Sequence, residues 1–122
     1  MIRVALPLAL LLASCAPQAS TAYPTVSVGD LNTAVGQGQV VLDVRTPAKF
    51  TEGHIASAVN LPLDQVQARA AEVPSGQPVY VICRSGARSA QASAILKKAG
   101  KDVRNVGTGM NDWIATGYPV IR

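Results

Sequence analysis

The chain is poor in the residues that several common functions require. Charged side chains make up only 15% of its 122 residues against 48% hydrophobic ones, which excludes a disordered or acidic tail-like protein. One Trp, three Tyr and one Phe are too few to form a base-stacking platform, and the 11 Lys and Arg are scattered, so a net charge of +4 does not point to a nucleic-acid partner. With one histidine and two cysteines, a zinc site of the usual His and Cys composition would need carboxylates to complete it, and no metal or other cofactor is expected. No internal repeat or low-complexity stretch is present. What remains is enough chain for one compact domain behind an N-terminal leader.

The leader is expected over residues 1–14. Arg3 supplies its positive charge, and Val4 to Ala13 form an apolar stretch interrupted by Pro7 that is too short to span a bilayer as a helix. Leu12, Ala13, Ser14 and Cys15 resemble the bacterial lipobox, in which the cysteine is diacylated on sulfur and becomes the mature N-terminus. The resemblance implies an exported protein tied by Cys15 to a membrane of the cell envelope. Ala16 stands where lipoproteins kept at the inner membrane resemble one another in carrying aspartate, so the outer membrane is favoured. Residues 15–22 then form the lipid-attachment cysteine and a flexible tether of small, polar and Pro residues. The alternatives are ordinary cleavage after Ala22, giving a soluble periplasmic or secreted protein, and an uncleaved anchor. The domain is assigned to residues 23–122.

Acylation of Cys15 leaves Cys83 as a lone thiol in an oxidising compartment, where an unpaired cysteine needs a chemical reason to exist. Its surroundings supply one. Hydrophobic patterning predicts strands at Thr25–Val28, Val40–Val44, Ala58–Leu61, Pro78–Ile82 and Val103–Val106. Between them it predicts helices over Asp30–Val35, a short turn opened by Thr46 and Pro47, Leu63 to Val73, Ala87–Ala99, and a last turn around Met110, Trp113 and Ile114. Such alternation implies an α/β domain with a parallel sheet covered on both faces.

Cys83, Arg84, Ser85, Gly86, Ala87, Arg88 and Ser89 fall where the most hydrophobic strand passes into a helix, the place where open α/β sheets bind ligands. Amides without helical partners there, with Arg84 and Arg88 nearby, favour a thiolate and lower the cysteine pKa from its ordinary value of about 8.5. Gly86 allows the loop to curl its amides around one point.

Four segments, LDVRTPAKF, GHIASAVNLP, VYVICRSGARS and NVGTGMNDWIATGYPV, resemble the rhodanese (thiosulfate sulfurtransferase) family in the family's order, covering essentially Thr25 to Arg122. The resemblance implies a rhodanese-like fold, with a central, mainly parallel five-stranded sheet and helices on both faces. It also implies a persulfide mechanism. The Cys83 thiolate attacks the outer sulfur of thiosulfate or a related donor, and an acceptor such as cyanide, a thiol or a thioredoxin-like protein then removes that sulfur. The amides of Arg84 to Ser89 bind substrate, and Asp43 and Arg45 of the DVR segment support the loop. A non-enzymatic persulfide carrier or interaction module is the alternative. Cysteine phosphatases resemble a Cys and Arg separated by five residues; here four separate Cys83 from Arg88, which resembles the smaller sulfurtransferase cradle.

The neighbours carry two readings each. Arg88 either binds substrate or closes an ion pair with Asp43; Ser89 either caps the helix or acts directly; Arg84 either binds substrate or stands solvated at the rim. His54 is expected to be a structural hydrogen-bonder, Trp113 and Met110 to be core or pocket wall, and Asn111 with Asp112 to be a solvated face. Lys49, Ala56, Ser57 and Thr108 depart from the family pattern, at the rim rather than in the Cys83 loop.

Overall fold

The computed structural model describes residues 22–122; the leader, Cys15 and the tether up to residue 21 lie outside the described residues. Eleven elements follow one another: β1 Thr25–Val26, α1 Val28–Gly36, β2 Val40–Asp43, α2 Pro47–Glu52, β3 Val59–Asn60, α3 Leu63–Arg69, a 3₁₀ turn Ala70–Glu72, β4 Pro78–Ile82, α4 Ala87–Lys98, β5 Asp102–Val106 and α5 Gly109–Ala115. The sheet order is β1-β5-β4-β2-β3, and every ladder in it is parallel. The expected five-stranded α/β sheet is therefore present. The only antiparallel pairing among the described residues is an isolated bridge between His54 and Ile121.

Strand β4 shows how the sequence generates two hydrophobic layers. Its side chains alternate, so Val79 and Val81, continued by Cys83, join Leu42, Ala92, Leu96 and Val103 on the side covered by α3 and α4. Tyr80 and Ile82 face Leu31, Val41, Val106 and Trp113 on the side covered by α1 and α5. A strand flanked on both edges and buried on both faces needs the continuous apolar run that Pro78–Ile82 provides.

The element ends follow local chemistry. Ser27 and Asp30 form a reciprocal capping box, with Asp30 N donating to Ser27 Oγ at 3.0 Å and Ser27 N to the Asp30 carboxylate at 3.2 Å. This starts α1 at Val28, two residues earlier than the apolar pattern alone suggested, and limits β1 to two residues. Thr46 caps α2 with Pro47 in its first turn, as expected. Helix α3 stops at Arg69 and tightens into the 3₁₀ turn, because Val73 is already extended ahead of Pro74. Between α4 and β5 lies Gly100 with φ +84°, closing the helix after Lys97 and Lys98.

Candidate functional site

Cys83 leaves the carboxyl end of β4 in the middle of the sheet and is 2% exposed. The chain from Cys83 to Gly86 curls back so that the Gly86 amide donates to Cys83 Sγ at 3.1 Å. The thiol in turn donates to Ser89 Oγ at 3.3 Å, and the Ser89 hydroxyl donates to the Gly86 carbonyl at 3.1 Å. Ser89 has one proton and two acceptors in reach. When the sulfur is ionised, that proton can swing from the carbonyl to the thiolate.

Burial pushes the Cys83 thiol up, but the Ser89 hydroxyl and the amides of Ser89, Gly86 and Ser85 together outweigh it, leaving the thiol below its ordinary range. The site therefore favours a nucleophilic sulfur kept from bulk water.

Two glycines allow the curl. Gly86 has φ +104°, and a Cβ there would lie 2.1 Å from the Gly107 carbonyl oxygen. Gly109 has φ +65°, and its Cβ would lie 2.4 Å from the Arg84 carbonyl oxygen. At that close approach, the first amides of α5 take the loop's carbonyls: Met110 N donates to Cys83 O at 2.8 Å and Asn111 N to Arg84 O at 3.0 Å. With those carbonyls held on the α5 side, the loop amides remain free to face the sulfur. Sequence reasoning missed this clamp, since it consists of main-chain atoms. Its only trace in the sequence is the pair of glycines flanking Thr108.

Arg84 and Arg88 are exposed and line a pocket of about 300 Å³ with Cys83, Ser85 and Ala87. Of the two readings of Arg88, the ion pair with Asp43 does not occur. Asp43 is held by Arg45, whose Nε lies 2.9 Å from Oδ1 and whose Nη2 lies 2.7 Å from Oδ2, with the Arg45 amide also on Oδ1 at 3.0 Å. Neither Arg84 nor Arg88 has an ion-pair partner among the described residues. Arg88 also borders two neighbouring recesses, one against Pro47 and Leu63 and one against Met110 and Ile114.

The Asp43–Arg45 pair supports the loop after β2 rather than touching the sulfur. Arg45 Nη2 donates to Gly53 O at 2.8 Å across the end of α2, and Asn60 Nδ2 donates to the carbonyls of Asp43 and Arg45 at 3.0 and 2.9 Å. The reading of Ser89 as a helix cap is corrected: the cap residue is Gly86, and Ser89 sits buried in the first turn against the sulfur. His54 is a structural hydrogen-bonder, its Nδ1 2.7 Å from Phe50 O and its ring stacked on Phe50. Met110 and Trp113 are buried, with Trp113 Nε1 donating to Pro119 O. Asp112 is tied to Thr108 and Thr116, while Asn111 is exposed beside Arg84 and Arg88. Among the described residues no three His, Cys, Asp or Glu gather as metal ligands, and no helix is long and apolar enough to cross a membrane. A larger recess of about 430 Å³ between β2, β3 and the 70–74 segment shares no residue with the Cys83 pocket.

Comparison with known proteins agrees with this geometry. The model of the Rhodanese-like domain matches residues 27–116. A sulfurtransferase of Allochromatium vinosum is 39% identical over 83 residues, covering 67% of this chain and 78% of its own length. A Bacillus subtilis protein named as a candidate sulfur carrier, YrkF, is 43% identical over 74 residues; the match spans 60% of this chain but only 40% of the carrier's length. A rhodanese-related protein from Thermoplasma volcanium superposes with a TM-score of 0.77 at 32% identity, covering 81% of this chain and 98% of that one. The chain accordingly belongs to the rhodanese-like domain family, among relatives that include sulfurtransferases.

Proposed function

We propose that the chain is a thiosulfate sulfurtransferase that works through a Cys83 persulfide. The observation that carries this reading is the buried sulfur with the Gly86 amide and the Ser89 hydroxyl in hydrogen-bond range, held below the ordinary thiol range despite its burial. The Cys83 thiolate attacks the outer sulfur of thiosulfate, a bond forms between the two sulfurs, and sulfite leaves with the electron pair of the broken S–S bond. The same donors that favour the thiolate then hold the persulfide anion, as fixed dipoles do for other developing anions. Cyanide or a thiol removes the outer sulfur and returns the Cys83 thiolate. Arg84 and Arg88 attract and seat the anionic donor at the pocket mouth, and Asp43 with Arg45 keeps the facing rim in place.

The test is thiocyanate formation from thiosulfate and cyanide by the full chain beside Cys83→Ser. Turnover with double-displacement kinetics, lost in the variant, is the expected result. A chain that accepts sulfur from a partner's persulfide but never turns over thiosulfate is a carrier instead. The 43% identity to the YrkF candidate carrier is what favours that second reading. We further propose that the leader is removed and Cys15 acylated, so that the domain works from a membrane surface of the cell envelope. Intact-mass spectrometry of protein taken from its own membrane tests this: lipid on Cys15 supports it, and a mature chain starting at Tyr23 overturns it.

A further inference from the structure

The fold separates its charges. Every strand of the parallel sheet runs toward the Cys83 end and each helix begins there, so the helices carry the chain back to the amino end of the strands. Helix α3 therefore delivers Arg69, and α4 delivers Lys97 and Lys98, to the end opposite the nucleophile, where Lys101 also stands before β5. Arg69 is paired there with Glu72 and Arg104 with Asp102, which leaves the three lysines without a carboxylate among the described residues. Lys101 is 8% exposed with its Nζ on Ser75 Oγ at 2.8 Å, whereas Lys97 and Lys98 reach solvent. Around Cys83 the balance is different: Lys49, Arg84 and Arg88 stand with Asp30, Glu52, Asp64 and Asp112, and Asp43 and Arg45 cancel each other. One end is positive and the other is close to neutral.

The chain enters from the positive end. Thr25 and Val81 both pair with Asn105, Tyr23 precedes Thr25 by two residues and Cys83 follows Val81 by two, so Tyr23 lies about 13 Å from Cys83 along the strand direction, toward the amino end. This entry is fixed to the domain: the Tyr23 hydroxyl donates to Ala90 O at 3.0 Å, and Asn105 N donates to Pro24 O at 2.9 Å. From Cys15 to Tyr23 the chain is eight residues long and reaches at most about 28 Å. A lipid on Cys15 holds the domain within that reach of a bilayer, where an encounter between its lysines and anionic headgroups costs little further translational freedom.

We propose that the amino end of the sheet is a docking surface for an anionic lipid bilayer, with Lys97 and Lys98 among the headgroup phosphates and the Cys83 pocket turned away from the membrane. The proposal rests on the acylation of Cys15 proposed above and is independent of the sulfur chemistry. It adds an orientation to the anchor. Reactants then reach Cys83 from the aqueous phase rather than along the lipid surface.

The test uses the chain purified from its own membrane and placed in vesicles of phosphatidylglycerol or of phosphatidylcholine. Brief acetylation with acetic anhydride, an uncharged reagent, is followed by mass spectrometry of the labelled peptides. Lys49, beside the Cys83 pocket, serves as the internal reference for Lys98. The Lys98-to-Lys49 labelling ratio is expected to fall about fivefold on the anionic vesicles relative to the neutral ones, the worth of one lysine at such a surface. The difference should vanish at about 0.5 M salt, where screening confines the surface field to a few ångström. Lys97→Glu should return most of the Lys98 labelling on anionic vesicles. Equal ratios on the two lipids, protection of Lys49 instead of Lys98, or protection of Lys98 that survives salt or Lys97→Glu each overturn the docking alone. A chain whose intact mass shows no lipid on Cys15 overturns the docking and the acylation reading together.

Discussion

The Ser89 hydroxyl stands 3.3 Å from Cys83 Sγ and 3.1 Å from the Gly86 carbonyl, so one rotatable proton serves both the neutral and the ionised sulfur. Replacing it removes a donor that only the thiolate fully uses. In Ser89→Ala the Cys83 pKa should rise, because a hydrogen bond that favours the charged sulfur is lost. Thiolate absorbance in the far ultraviolet, followed against pH, checks this. An unchanged titration would assign the lowered pKa to the loop amides alone.

Gly109 and Gly117 make a matched pair for testing the clamp on the nucleophile loop. Both have positive φ, but a Cβ at 109 meets the Arg84 carbonyl oxygen at 2.4 Å, whereas one at 117 meets nothing within 4 Å. Gly117→Ala should cost about 1 kcal/mol of stability from backbone conformation. Gly109→Ala should cost about 2–3 kcal/mol and also slow iodoacetamide alkylation of Cys83 at neutral pH, because the loop must shift. Denaturant titration and alkylation kinetics on the two variants separate these effects.

Ionisation of Cys83 links stability to pH with a definite sign. Its pKa is lowered in the folded chain, so between that value and the unfolded value of about 8.5 the unfolded state binds more protons. The contribution is complete above about pH 8.5 and is lost as pH falls through the folded pKa. Relative to Cys83→Ala, the wild-type chain should therefore gain unfolding free energy as pH rises through this window. Urea midpoints of the two proteins across neutral and mildly alkaline pH provide the measurement; parallel curves would show that the thiol is not perturbed.

The Asp43–Arg45 pair is a buried charge pair, with Asp43 fully buried and the Arg45 side chain 10% exposed. Removing one member leaves the other charge unmatched. Asp43→Asn should cost about 3–5 kcal/mol, whereas Asp43→Asn combined with Arg45→Met should recover much of that loss. A double-mutant cycle in thermal unfolding checks the coupling. Additive losses would mean that the two residues act separately, each through its own contacts.

Much of this architecture is legible in the sequence because its periodicities are strong. Pro78–Ile82 reads as a strand because it is the most hydrophobic β-branched stretch, and Thr46 with Pro47 announces the start of α2. The nucleophile loop is legible because cysteine, glycine and two arginines concentrate in a few residues. The clamp by Met110 and Asn111 is not, since backbone amides leave no side-chain signature. The partner of Asp43 was missed for a different reason: the sequence reading offered only Arg88 for that ion pair, and three-dimensional placement shows that Arg45, two residues along the chain, takes the carboxylate and frees Arg88. One reading made Ser89 the cap, but Gly86 with positive φ takes that position, and in α4, which begins at Ala87 as the pattern predicts, Ser89 falls in the first turn, buried.

The reactive sulfur is mounted on β4, which is laced to β5 on one side and to β2 on the other, while the two-residue ribbons β1 and β3 form the margins. Unravelling at either margin leaves this mount intact. On warming, chemical reactivity at position 83 should persist until the whole domain gives way, so heat inactivation reports global melting rather than a loosened corner.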